Sequence, residues 1–272
     1  MIKKFLYKTL DLINKNGAYI FSVKKINKSL LKNKFQVNQI NLNIGSGGYN
    51  IEGFKDLDIP STKYNLERGQ DFIPYDIRAD KIPFQNNEVD NIYCSHVIEH
   101  IEEKYVIKFI EDCSRVLKKD GILRICTPDA KFLWKMMNKG KKYWEVKRYD
   151  DWFRSRGGSF EDFDEIDFFI RETSTSKSRV FSKDNSIYYN KVKEKMHDYE
   201  EVLKILKDNS YNSKEIGNHI SAWDFDKLYD ISKFFFTDVI ESRYRASISN
   251  DMRSEAFDKT SPEMSLYVDL KK

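Results

Sequence analysis

The stretch Leu42-Asn43-Ile44-Gly45-Ser46-Gly47-Gly48 decides the fold. Apolar Leu42 and Ile44 lead straight into the glycines, which reads as a buried strand entering a tight turn. Glycine is used where the chain needs positive φ, or where a ligand must approach the backbone. One Gly-x-Gly is a weak signal, so its neighbours settle its meaning. Asp58 closes FKDLDI, Asp76 stands in YDIRADKIPF, and NEVDNIYCSHVIEHI and LKKDGILRICTPD follow. Strand, glycine turn, strand ending in an acid, acid before a loop, strand, helix, strand: this is the order of a nucleoside-binding α/β sheet.

Outward from this stretch, strands are expected at 40–44, 55–59, 72–76, 89–94 and 122–127. The clearest helix is 101–118, where Tyr105, Phe109, Ile110, Cys113 and Leu117 follow helical spacing and Lys118-Lys119-Asp120-Gly121 supplies the stop. Pro128-Asp129 restarts a helix. The sheet pattern then lapses over 131–218, a block holding three of the four Trp and 16 of the 39 aromatics. A helix is expected there at about 191–208, and Ser159 with Asp162 resembles a capping box. The α/β pattern resumes with a helix beginning near Asp224 and final strands at 237–241 and 265–270. Four segments result: a basic amphipathic helical lead-in (1–39), a core (40–130), an inserted, mostly helical lid (131–218) and a C-terminal completion of the sheet (219–272).

Composition excludes several classes. A 272-residue chain with 40% hydrophobic and 14% aromatic residues is no disordered polypeptide. Residues 1–39 hold nine Lys and one Asp; against a whole-chain charge of +4, this leaves 40–272 at −4. A solvated helical face is the plainer reading of that arm, and peripheral contact with an anionic membrane is the other. Cys94, Cys113 and Cys126 are odd in number and widely spaced, which argues against a disulfide framework or a zinc site. No leader pattern or membrane-length run is visible, and a reducing cytoplasm fits.

The spacing also narrows the ligand. A dinucleotide site places its pyrophosphate on a helix N-terminus and its ribose acid about 20 residues on. Asp58 follows Gly45 by only 13 residues, with little room for a helix between them. No phosphate loop of the Gly-x-x-x-x-Gly-Lys-Ser/Thr kind exists. A ligand without phosphate fits better: an amino-acid moiety at the turn, a ribose diol on Asp58, and an adenine edge at Asp76 and the Ile77 N–H.

As an ordered set, LNIGSGG, LDI, YDIRADKIPF, VDNIYCSHVIEHI and LKKDGILRICTPD resemble the class I S-adenosylmethionine-dependent methyltransferases, closest to their small-molecule, type 11 branch. The resemblance covers 40–129 well, the last 50 residues weakly, and 131–218 not at all. It implies a Rossmann-like α/β fold of seven strands, with strand seven antiparallel beside strand six, and S-adenosylmethionine as cofactor. By it, Gly45, Ser46 and Gly47 receive the methionine end, Asp58 the ribose, and Asp76 and Ile77 the adenine, while Ser95 and His96 face the methyl group. Asn43 stands where the family usually has an acid and becomes a neutral acceptor for the amino group. Tyr49 stands at the usual third glycine.

Strand four ends in Cys-Ser-His-Val, without the Asn/Asp-Pro-Pro-Tyr/Phe of enzymes that methylate amide or adenine nitrogens. With the acidic balance outside the arm, this disfavours nucleic acid. A hydroxyl acceptor needs a base: His96 and His219 are candidates, with Asp129 as the carboxylate alternative. His96 and His100 lie i, i+4, a spacing metals use. Yet His96 stands where a metal-binding version of this segment has an acid, and Glu99 pairing inside the structure is the favoured reading, so no metal is expected. Trp134, Tyr143, Trp144 and Trp152 could stack on a sugar, and Arg154, Arg156 and Arg171 could hold a phosphate or carboxylate.

The expectation is a cytoplasmic methyltransferase acting on a small-molecule or sugar hydroxyl, of a bacterial surface polysaccharide, with the lid setting acceptor choice and the core setting cofactor choice. The alternatives are methylation of a quinone, lipid or other small metabolite, and a cofactor-binding regulatory or scaffold protein without turnover.

Overall fold

The computed structural model describes residues 39–60, 72–140, 163–207 and 209–272. The lead-in at 1–38, the Ser159/Asp162 pair and the aromatic and arginine candidates at 143–156 lie outside the described residues. Seven strands form one sheet: β1 (Asn41–Ile44), β2 (Phe54–Asp58), β3 (Ile73–Pro74), β4 (Val89–Ser95), β5 (Leu117–Pro128), β6 (Asp238–Glu241) and β7 (Ser265–Lys271). Their spatial order is β3-β2-β1-β4-β5-β7-β6. All neighbours pair in parallel except β7, which runs antiparallel to both β5 and β6. This is the seven-stranded, Rossmann-like sheet that the sequence resemblance implied.

The two faces of the sheet are built from different chemistry. On one face, Leu42 and Ile44 join Leu57, Ile92 and Cys94 in an apolar cluster. Helix α1 (Glu103–Val116) covers it with Val106, Phe109, Ile110, Cys113 and Val116. The alternate residues of the same strands, pointing the other way, are polar but buried. Asn91 Nδ2 donates to Asn41 Oδ1 (2.9 Å), and Asn43 Nδ2 to Asp56 Oδ1 (2.7 Å). Further along this face lies Arg124, fully buried. Its guanidinium donates to both Asp258 oxygens (3.0 and 2.7 Å), to Asp269 Oδ1 (2.9 Å) and to the Arg243 carbonyl (2.9 Å). Burial pulls the Arg124 pKa down, but the two carboxylates outweigh it and leave the group firmly charged. One side chain on β5 thus fastens both β7 and the segment between β6 and β7.

Some boundaries differ from the sequence expectation. Helix α1 ends at Val116 and passes directly into β5. The left-handed residue beyond it is Asp120 (φ 66°), not Gly121; a short polar side chain tolerates that conformation. The expected helix at 191–208 is two helices, because Asp198 caps a new start by accepting from Glu201 N.

Between β5 and β6 the chain forms α2 (Ala130–Lys139), α3 (Glu165–Thr173), α4 (Ser186–Lys195), α5 (Tyr199–Leu206) and α6 (Phe225–Ser232). Asp129, Asp164 and Asp224 cap the first, second and last of these with their carboxylates. Leu133, Met137, Phe168, Phe169, Val192 and Val202 give the inserted helices a core of their own. Trp134 belongs to it, donating to the Met196 carbonyl at 2.7 Å, so it is not free to stack on a sugar. Arg171 is paired with Glu172 rather than presented to a ligand. Among the described residues no helix is long and apolar enough to cross a membrane.

Removing one member of a buried ion network strands the other charges. Arg124→Met is therefore expected to lower unfolding free energy by about 3–5 kcal/mol. Urea denaturation checks this, and a loss below about 1 kcal/mol would mean that Asp258 and Asp269 are satisfied without Arg124.

Candidate active site

Just beyond the carboxyl ends of β1, β2 and β4 lies a cleft of about 260 Å³. Ligands of open α/β sheets bind in such a crevice. The glycine turn forms its floor. Gly45 has φ 70° and Gly47 φ 61°. A Cβ on Gly45 would stand 2.2 Å from Val97 Cγ2, whereas one on Gly47 would meet nothing within 4 Å. Gly45 is therefore required by both conformation and packing, and Gly47 by conformation alone. The turn closes with Tyr49 N donating to the Ser46 carbonyl, and β2 begins at Phe54 with no helix between.

Asp58 is buried at the end of β2. It accepts from Gly47 N (2.7 Å) and Ile59 N (2.6 Å), so it holds the glycine turn in place. Asp76 lines the cleft beside Ile77, its carboxylate engaged by Arg78: Oδ1 accepts from the backbone N and Nε (2.9 and 3.1 Å), and Oδ2 from Nη2 (2.8 Å). Burial raises the Asp76 pKa, but the Arg78 bonds prevail and keep it below the usual carboxylate value. Ser46, Ser95 and His96 also line the cleft.

Asn43 does not. Its amide donates to the Tyr49 carbonyl (2.8 Å) and to Asp56 (2.7 Å), which ties the glycine loop to β2. The residue supports the turn from behind instead of meeting the ligand. Asp129 is also elsewhere. Its carboxylate accepts from Phe132 N as the cap of α2, and it lines a separate shallow cleft with Phe132 and Phe225. Burial pushes its pKa up, but a capping carboxylate outside the cleft is not placed to take a proton from an acceptor within it.

The two candidate histidines are placed differently. His96 is the first residue past β4, at φ 54°. Positive φ outside glycine costs of order 1–3 kcal/mol and gathers at functional sites. Its Nδ1 lies 3.1 Å from Glu99 Oε1 and its Nε2 2.8 Å from Ser265 Oγ. His219 lies behind the cleft wall. Its Nδ1 donates to the Glu172 carbonyl at 2.7 Å, and its ring meets that of His100 edge to face. Burial first, then neighbouring His100, hold its pKa well below the ordinary histidine value.

Glu99 is only 1% exposed. Burial pushes its carboxyl up, but His96 foremost, with His100 and His219, brings it down to about 2. Within the structure it meets His96 and the Thr127 hydroxyl.

Other cleft residues carry no local sequence signal. Tyr211 and Ile216, from the insertion, reach the cleft wall. Arg78 lies over the Tyr211 ring, 3.5 Å from its centroid, and Tyr211 N donates to Glu102 at 3.3 Å. The insertion therefore contributes residues to the cleft itself.

Residues 56–125 match the methyltransferase domain family. This segment, 70 of the 272 residues, is the extent of the family match. Among solved structures, the chain is similar to an S-adenosylmethionine-dependent methyltransferase from Archaeoglobus fulgidus (13% identity, 88% of each chain covered, TM-score 0.42). It is also similar to a complex of the Haloferax volcanii Trm112 methyltransferase activator with a methyltransferase partner (9% identity, 90% of this chain and 87% of that one, TM-score 0.41). Against an S-adenosylmethionine-dependent methyltransferase from Mesorhizobium loti, the match covers 35% of this chain and 49% of that one, at 13% identity and TM-score 0.28. No curated protein matches the sequence.

The cleft fits S-adenosylmethionine, the cofactor that the sequence resemblance implies, on its own geometry. The glycine turn leaves open space above Gly47, an acid ends β2 beside it, and among the described residues no helix N-terminus follows the turn for a pyrophosphate. The turn's packing is open to test. Gly47→Ala should cost roughly 1–2 kcal/mol for its left-handed backbone alone. Gly45→Ala should cost distinctly more, and Val97→Ala added to it should recover part of the loss. Melting temperatures of the three variants check the ranking; equal losses at Gly45 and Gly47 would contradict the Val97 contact.

Proposed function

We propose that this enzyme methylates a hydroxyl of a polar small molecule, with a sugar of a bacterial surface polysaccharide as the first acceptor class to test. The observation that carries a hydroxyl acceptor is His96: a histidine at the cleft end of β4, with a buried carboxylate on one ring nitrogen and the other turned to a hydroxyl. When bound, S-adenosylmethionine supplies a methyl group activated on a sulfonium.

In this reading Gly45, Ser46 and Gly47 receive the methionine end, and Asp58 accepts from the ribose diol while holding the turn. Ile77 N–H and the edge of Asp76 meet the adenine. Ser95 and His96 lie nearest the methyl group. An attacking hydroxyl must lose its proton as its oxygen gains the new carbon bond. His96 Nε2 takes that proton once the acceptor replaces Ser265 Oγ beside it. Glu99 holds the opposite nitrogen, orienting the ring and stabilising the imidazolium, as a carboxylate does behind any such base. Tyr211 and Ile216 help close the cleft against water, which strengthens these interactions.

Calorimetry with S-adenosylhomocysteine is the first test: binding is expected and NAD should give no response. Asp58→Ala should weaken that binding by roughly 1.5–3 kcal/mol, the range for hydrogen bonds to a charged group. An unchanged dissociation constant in the folded variant removes Asp58 from the site. Turnover on a panel of glycans, sugar nucleotides and quinols, read as S-adenosylhomocysteine release, separates the acceptor classes and also separates an enzyme from a binding protein. His96→Ala should lower turnover by roughly 10²–10⁴ with cofactor affinity retained. Undiminished transfer in that variant would remove His96 as the base.

A further inference from the structure

A cluster behind the cleft wall has more hydrogen-bond acceptors than protons to serve them. Glu99 Oε2 accepts from the Thr127 hydroxyl at 3.1 Å, and His96 Nδ1 lies 3.1 Å from the buried Oε1, which leaves the Nε2 atoms of His100 and His219 without a proton to meet. His100 Nε2 lies 3.9 Å from that same Oε1. One ligand atom each from Glu99, His100 and His219 lies within 4.8 Å of the others.

The tautomers follow from the backbone. His100 Nδ1 is 2.9 Å from the Asn218 carbonyl, and His219 Nδ1 is 2.7 Å from the Glu172 carbonyl. A carbonyl oxygen only accepts, so each Nδ1 must carry the proton and donate it. In a neutral imidazole this leaves Nε2 as a bare lone pair. His100 Nε2 then confronts a carboxylate oxygen, two acceptors with no proton between them. A proton would satisfy one such pair, whereas a cation satisfies three donor atoms together. Histidines that bind metals characteristically spend their other ring N–H on a carbonyl or carboxylate, which fixes the tautomer and the ring orientation. Both histidines here are held in that way.

We propose that Glu99, His100 and His219 bind one divalent transition-metal ion of the zinc class. Two imidazoles and one carboxylate suit such an ion better than magnesium or calcium, which prefer all-oxygen shells. Around a tetrahedral ion with bonds of about 2.1 Å, ligand atoms stand roughly 3.4 Å apart. The atoms of the present cluster, within 4.8 Å of one another, would have to draw together around the ion. His100 also lines the cleft, so water from the cleft can complete the coordination shell. His96 is not one of the ligands, so the absence of an acid at position 96 does not weigh against the site.

The location gives the ion a structural consequence. Glu99 and His100 belong to the turn Ile98–His100 after β4, and His219 is the first residue after the insertion. These segments already meet: Ile220 N and Ser221 N donate to the Glu99 carbonyl at 2.7 and 3.1 Å, and Thr175 N donates to the His219 carbonyl at 2.9 Å. An ion here would fasten the insertion to the sheet. The proposal stands apart from the identity of the acceptor, and it shares only Glu99 with the proposed base.

The test uses the full chain, stripped with a chelator and then titrated separately with zinc, cobalt(II) and magnesium. Zinc is expected to bind at about one equivalent and to raise the melting temperature, since binding only the folded state stabilises it. Cobalt should give the visible absorption of a tetrahedral nitrogen and oxygen site. Glu99→Gln, close in shape, and His219→Ala should each weaken zinc by more than the ~10–100-fold that loss of an outer-shell partner costs. His197→Ala, at an exposed histidine, should change nothing. The proposal is overturned if the wild-type chain binds no zinc at micromolar free metal, if magnesium binds in preference, or if binding survives both ligand substitutions. Because the wild-type titration is itself decisive, a variant that fails to fold leaves the proposal open to refutation.

Discussion

The buried carboxylate of Glu99 is the constraint around which the functional end of the molecule is arranged. An ionised carboxyl out of water is costly unless it is met by hydrogen bonds or by positive charge. Here Thr127 from β5 and His96 from the end of β4 meet it directly, with His100 and His219 close by. The Glu99 backbone takes part too, its carbonyl accepting from Ile220 and Ser221 as the chain returns from the insertion. Three separate parts of the sequence are held in register at one point, beside the cleft. The same residue orients the proposed base and is the anionic member of the proposed metal site.

The other end of the cleft is held by a second set of polar contacts, this time through the glycine turn. Asn43 reaches from β1 to the Tyr49 carbonyl and to Asp56, and Asp58 reaches back to Gly47 N. Val97 fills the space that a side chain on Gly45 would need. The turn is braced on several sides, so the backbone that would face the cofactor is preorganised instead of being ordered at each binding event. The buried polar face of the sheet continues this arrangement away from the site, with Arg124 joining β5 to Asp258 and Asp269.

Much of the fold was legible because its signals are local. Apolar runs marked the central strands, and Asp129 and Asp224 marked helix starts that the structure has at those residues. The edge strand β3 is shorter than its sequence pattern suggests, since only Ile73 and Pro74 pair with β2. The break before Asp198 was missed because the apolar periodicity continues through it, while the cap that divides the helix lies in a single side chain. Asn43 was misplaced for a related reason. An amide next to a glycine turn has the same appearance in sequence whether it faces a ligand or braces the loop.

The sequence by itself determined the strand order along the chain, the glycine turn and the acids that follow it, and with these a site better suited to a ligand without phosphate. All depend on residues close together in the chain, whose spacing is set by strand and turn geometry. The tertiary structure alone decided which titratable groups share a site. His219 stands 119 residues beyond His100, and nothing in the intervening chain announces that the two rings touch. Tyr211 reaches Arg78 across a comparable gap. Asp129, close in sequence to the cleft-lining strands, is turned away from the cleft by the helix it caps. Contacts of this kind depend on how the insertion packs back on the sheet, and that packing is fixed by buried surfaces and paired charges across the whole domain, not by any local pattern.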